Sequence, residues 1–134
     1  MKFNKLIIIL FGVVFSPILS AAVYCTSVPV TAIEGADGAG FHKFDELGVS
    51  GEMLYLVVDS AYCSTNGTEN DTLNSSIYLV LDGLGSDVSV LKKTWISLIL
   101  TAQSTGKHIS FNARYLGQNS VSRQVVSPYY LRMQ

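Results

Sequence analysis

The chain has 134 residues, of which 49% are apolar and only 14% charged, and its net charge is −1. That balance excludes disorder, a coiled coil and a polyelectrolyte tail, and it leaves no basic footprint for nucleic acid. Once an N-terminal export signal is set aside, about 112 residues remain, the size of one compact domain.

The N-terminus reads as that signal. Lys2 and Lys5 precede the apolar run Leu6 to Phe15, and the small residues Ser20, Ala21 and Ala22 follow. About ten unbroken apolar residues fall short of the roughly 20 that span hydrocarbon, so no stable membrane span is expected after cleavage. Residues 1–22 are assigned to a signal peptide and 23–134 to a single domain, with a cut after Ala21 as the alternative. The expected destination is the periplasm or the exterior. Removing Lys2 and Lys5 from the nine Lys and Arg leaves seven against ten Asp and Glu, a net charge of about −3. The acids all lie between Glu34 and Asp87, and every later charge from Lys92 to Arg132 is basic. The two halves either neutralise one another in the fold or present a dipolar surface to a partner or a second copy.

Two cysteines remain after the signal, Cys25 and Cys63. In an exported chain such a pair is expected to be bridged, closing a loop that stabilises by roughly 4 kcal/mol through the unfolded state.

In chain order, Tyr24 to Ile33 is rich in Val and Thr and reads as a first strand, with Pro29 at an edge or bulge. Gly35 to Gly40 is read as a flexible connection, its glycines wrongly spaced for a phosphate cradle. Glu52 to Asp59 and Ser76 to Asp82 are strands apolar on both faces, separated by a polar loop over Ser64 to Asn74. Asp87 or Ser86 is positioned to cap a helix running to about Thr105, with Leu91, Trp95, Leu98, Ile99 and Ala102 on one face. Gly106 follows as its stop. His108 to Tyr115 alternates, with Ile109, Phe111, Ala113 and Tyr115 turned inward and His108, Ser110, Asn112 and Arg114 turned to water. Arg123 to Met133 forms the last strand, interrupted at Ser127 and Pro128.

The chemistry-bearing residues are sparse. Only His42 and His108 are histidines, neither has the neighbours of a zinc site, and Gly48 to Gly51 lacks the spacing of a nucleophile elbow. No catalytic residue, metal or cofactor is therefore assigned, and the chain is read as a binding module and not an enzyme. The candidate ligand-binding residues are the wet stripe His108, Ser110, Asn112 and Arg114, together with Arg123.

The expected fold is mainly β with one helix, in the order β-β-β-α-β-β, which is the layout of a five-stranded OB-fold-like barrel. The segment Trp95 to Phe111 (WISLILTAQSTGKHISF) strengthens that expectation, because it resembles small exported bacterial proteins similar to the B subunits of subtilase-cytotoxin and pertussis-like toxins. Leu98, Leu100, Ala102, Thr105, Gly106, Lys107 and Ile109 occupy the matching places. The resemblance implies an OB-fold, export, a homo-oligomeric ring and recognition of a glycan or protein partner. The other reading is a monomeric periplasmic accessory protein held by its disulfide.

Overall fold

The computed structural model describes residues 21–37, 42–66, 73–85 and 87–134. Most of the proposed signal peptide lies outside the described residues, as does the tip of the polar loop. The protein is mainly β with one helix, as expected, but it has seven strands where five were anticipated. These are β1 (Ala22–Pro29), β2 (Glu34–Asp37), β3 (Glu52–Asp59), β4 (Cys63–Thr65), β5 (Ser76–Leu81), β6 (His108–Gln118) and β7 (Gln124–Met133). They form one mixed sheet in the order β2-β3-β5-β7-β6-β1-β4. Every pairing is antiparallel except that of β5 with β7.

The two extra strands are short, which is why periodicity missed them. β2 falls where a flexible glycine connection was expected, and it lies on the edge of β3 with Glu34 opposite Tyr55 and Gly35 opposite Leu54. β4 occupies the start of the polar loop. A single 3-10 turn, Ser60–Tyr62, carries the chain from β3 into β4, which pairs with β1 at the far end of the sheet. The sheet is thus open as a hydrogen-bonded ladder, yet its two ends are joined covalently at this corner. Cys25 and Cys63, directly opposite one another on β1 and β4, form the expected disulfide.

The first strand ends at Pro29, earlier than its composition suggested, after a bulge between Cys25 and Val28. Ser27 there takes a left-handed φ of 53°, and its N–H turns to the hydroxyl of Ser110 at 3.0 Å. Pro128 does not interrupt the last strand. β7 runs through it, and Tyr129 is the extra residue that bulges between the pairs Asn112 with Tyr130 and Ala113 with Pro128.

The helix, α1 (Val90–Thr105), begins later than expected. Its cap is Ser89, whose hydroxyl accepts from Lys92 N at 3.2 Å. Gly106 ends it at φ 70°, a conformation that L side chains adopt at a cost. Trp95, Ile99 and Ala102 are buried as predicted, whereas Leu91 is 54% exposed because it precedes the turn that meets the sheet. Those residues pack on Phe111, Ala113, Val126 and Leu131 in the larger apolar cluster. A second, smaller cluster gathers Phe44, Val49, Met53, Tyr55, Val80 and Val125. Gly117 on β6 leaves room for Leu47 beside the smaller cluster, because a Cβ at its φ of 127° would sit 3.2 Å from Leu47 Cδ2. Among the described residues no helix is long and apolar enough to cross a membrane.

Candidate functional site

Polar chemistry concentrates in two places. The first lies over the smaller apolar cluster. Register brings Glu34 on β2 directly opposite Tyr55 on β3, and the Tyr55 hydroxyl meets Glu34 Oε2 at 2.5 Å and His42 Nε2 at 2.6 Å. A carboxylate only accepts, so the phenol proton goes to Glu34 and His42 Nε2 carries the proton that it donates to Tyr55. His42 stacks on Phe44 with ring centroids 5.2 Å apart, meets Tyr55 edge to face and lies tilted against Tyr78. On the other side Arg123 Nε donates to the Tyr78 hydroxyl at 3.2 Å, with its guanidinium 5.7 Å from the ring centroid.

Two loops are locked together to hold this arrangement. Asn119 Nδ2 donates to the carbonyls of His42 and Lys43, while its Oδ1 accepts from the backbone of Val121 and Arg123. Glu46, in the 3-10 turn Phe44–Leu47, accepts from both the backbone N–H and the hydroxyl of Ser120 at 2.8 Å. Those two bonds hold its carboxyl below the ordinary range. Asn119 is the segment's pin: it is 8% exposed, and its side chain closes the turn and grips the preceding loop together.

Burial, then the nearby Arg123, lowers the His42 pKa, with Glu34 opposing them. Burial and the bond to Glu34 push Tyr55 up to about 12. The phenol is therefore no base or nucleophile near neutrality, and the cluster forms a part-buried polar brace around the buried Tyr55. Its signs set a stability window. A base whose folded pKa is depressed stabilises fully above its unfolded value and loses that contribution as pH falls, here from about 6.5 downward. An acid whose folded pKa is raised stabilises below its unfolded value, and the Tyr55 contribution fades between about 10 and 12 as pH rises. Urea midpoints across pH 5 to 11.5 should form a plateau falling at both ends, with His42→Gln flattening the acid limb and Tyr55→Phe the alkaline one. Unchanged limbs in both variants would refute the assignment.

The second place is the outer face of β7, β6, β1 and β4. Asn112 lies opposite Tyr24 on one side and Tyr130 on the other, so the three side chains share a face. Tyr129, at the bulge, bonds to Tyr24, and Arg114 lies within electrostatic reach of it. Burial first, and then Tyr24, raise the Tyr129 phenol above its ordinary value. Asn66 Nδ2 donates to the Tyr24 hydroxyl at 3.3 Å. Tyr129 and Tyr130 are 48% and 47% exposed, large rings left in water beside a guanidinium and an amide.

The residues expected from sequence are only partly brought together. Asn112 and Arg114 belong to this outer face. His108 is exposed on the same strand near its start, where its backbone pairs with Gln134. Ser110 does not face water: it is 6% exposed, its hydroxyl accepting from Ser27 N and bonding Gln134 Oε1. The β1 bulge and the C-terminus fold over it, contacts that no local pattern announces. Arg123 lies apart, beyond the pair Gln118 with Gln124 at the opposite end of the β6–β7 hairpin, about 30 Å of strand from His108. Sequence reading missed Tyr24, Tyr129 and Tyr130, because only register and the bulge place them on one face.

Among the described residues no group of three or more His, Cys, Asp and Glu is placed to hold a metal ion. No protein-family model matches the chain, and no curated protein or solved structure matches it.

Proposed function

We propose that this protein is a small exported binding protein, resembling a toxin B subunit, that recognises a glycan or protein partner through the outer face formed by Tyr24, Asn112, Arg114, Tyr129 and Tyr130. The observation that carries this reading is the exposure of two tyrosine rings beside Arg114 and Asn112 on one face of the sheet. Flat rings with a polar edge contact a ligand at small entropic cost, and the guanidinium and amide supply directional donors. The order β3-β5-β7-β6-β1, with a parallel β5 and β7 pair and the helix between β5 and β6, supports an OB-fold-like arrangement left open between β1 and β3. The disulfide is compatible with export to the periplasm or beyond, and a homo-oligomeric ring belongs to the same reading.

The purified protein should retain ligands on a broad glycan array and run as an oligomer by light scattering. Tyr129→Ala should weaken the retained ligands about tenfold, a loss of about 1.4 kcal/mol, without altering the unfolding midpoint. A monomer inert on the array and towards protein partners defeats the proposal.

A further inference from the structure

The outer tyrosine face carries more than rings. Paired residues on neighbouring strands share a face, and the register of β6 with β7 sets Arg132 opposite Ser110, Tyr130 opposite Asn112 and Ser127 opposite Arg114. Along the strands the groups therefore run as a guanidinium, a tyrosine ring beside an amide, and a second guanidinium. The four residues from Ser110 to Arg114 put about 13 Å of strand between the two ends of that row. Arg114 and Arg132 are both exposed, and among the described residues neither makes an ion pair.

The charge around them is one-sided. β1, β4, β6 and β7 contain no Asp or Glu, and no acid follows Asp87 in the chain. The net charge of the whole is −1, yet the strands of this face supply only cations. The acidic and basic halves do meet, but elsewhere, where Lys92 at the start of α1 pairs with Asp82. A guanidinium fork fits a sulfate or a carboxylate through two parallel hydrogen bonds, and a face of one sign gathers ligands of the other. Two forks on either side of a ring match a chain that stacks one sugar on the ring and carries an anionic group to each side of it. A ligand with a single charge would engage only one fork.

We infer that the ligand of the outer face is a linear glycan bearing sulfate or carboxylate groups on successive sugars, with Arg132 joining Arg114 as its second anion contact. This rests on the glycan reading of that face and adds to it a requirement for charge. The helix packs on the opposite face, through Phe111, Ala113, Val126 and Leu131, so its exposed Lys93 stands behind the sheet and outside the site.

The test is a calorimetric titration of the disulfide-bonded protein with a heparin hexasaccharide, its desulfated N-acetylated counterpart, which keeps the uronate carboxylates, and neutral maltohexaose. The heparin chain should bind about tenfold or more tightly than maltohexaose. Retained affinity in the desulfated chain assigns carboxylate as the anion, and its loss assigns sulfate. Raising salt from 50 to 200 mM should weaken the heparin chain about sevenfold, as expected for two neutralised charges. Arg132→Gln should weaken binding about fivefold and cut that salt effect to about threefold, while Arg132→Lys keeps the salt effect. Lys93→Gln removes the same charge behind the sheet and should change neither. A loss in Lys93→Gln equal to that in Arg132→Gln, or equal affinity for an oligothymidylate of the same charge, would reveal attraction for any polyanion and overturn the inference. Maltohexaose binding as tightly as heparin, with Tyr129→Ala weakening both, would keep a glycan face and overturn the charge requirement alone. Binding of no glycan overturns this inference and the glycan reading together.

Discussion

Replacing Cys25 and Cys63 together by alanine is expected to lower the unfolding free energy by about 4 kcal/mol. The bridge closes a loop of sequence separation 38, and the loss of loop-closure entropy from the unfolded chain sets that scale. Small domains have about 5–15 kcal/mol in all, so the loss is a large part of the whole. At about 4 °C per kcal/mol for a chain of this size, the melting midpoint should fall by about 15 °C. The structure adds a local consequence. β4 has three paired residues and one partner strand, and the disulfide ties it to β1 at the corner that joins the two ends of the sheet. Amide exchange should therefore rise first at Cys63 to Thr65 and at the facing residues Val23 to Cys25. Thermal unfolding of the oxidised, reduced and double-alanine proteins checks this, and a midpoint shift under about 3 °C would refute it.

Phe44→Ala is expected to cost about 3–5 kcal/mol, the range for deleting a fully buried aromatic ring. Phe44 is 1% exposed at the centre of the smaller apolar cluster, and its ring lies 5.2 to 5.5 Å from those of His42, Tyr55 and Tyr78. Removing it leaves a cavity and withdraws the plate on which His42 stacks, so the bonds from His42 through Tyr55 to Glu34 loosen as well. Phe44→Leu retains much of the volume and should cost roughly half as much. Urea denaturation at pH 7.5 gives both values, and equal midpoints for Phe44→Ala and the parent would show that the ring is no keystone.

The elements that sequence reading recovered are those whose signal is local. β6 alternates because one of its faces is buried, and Ile109, Phe111 and Ala113 are the buried set. The helix is announced by its apolar spacing and by Gly106 after its end. The disulfide was expected from two cysteines in a chain read as exported, and it is present. Where local signals were weak, expectations drifted: β2 and β4 are too short to show a period, Pro128 is accommodated by the Tyr129 bulge, and Leu91 lies on the apolar stripe yet outside the packed turns.

The candidate sites depended on more than periodicity. The wet stripe was legible as far as Asn112 and Arg114, but Ser110 is covered by Ser27 and Gln134, which are remote from it in sequence. Arg123 followed the stripe in sequence and parts from it in space, since it stands at the other end of a hairpin. The bonds from Tyr55 to Glu34 and His42 exist because β2 pairs with β3 in a single register and because Asn119 pins the loop that carries His42.

The sequence by itself determined where the chain alternates, where its helix stops, which cysteines are available and how its charges divide, because each follows from neighbours a few residues apart. Only the tertiary structure decided that the sheet has seven strands, that three tyrosines share a face with Arg114, and that β1 and β3 stay unpaired. Those outcomes rest on pairings between residues far apart in the chain. Their register is chosen by burying both apolar clusters at once, a condition that no local stretch of sequence contains.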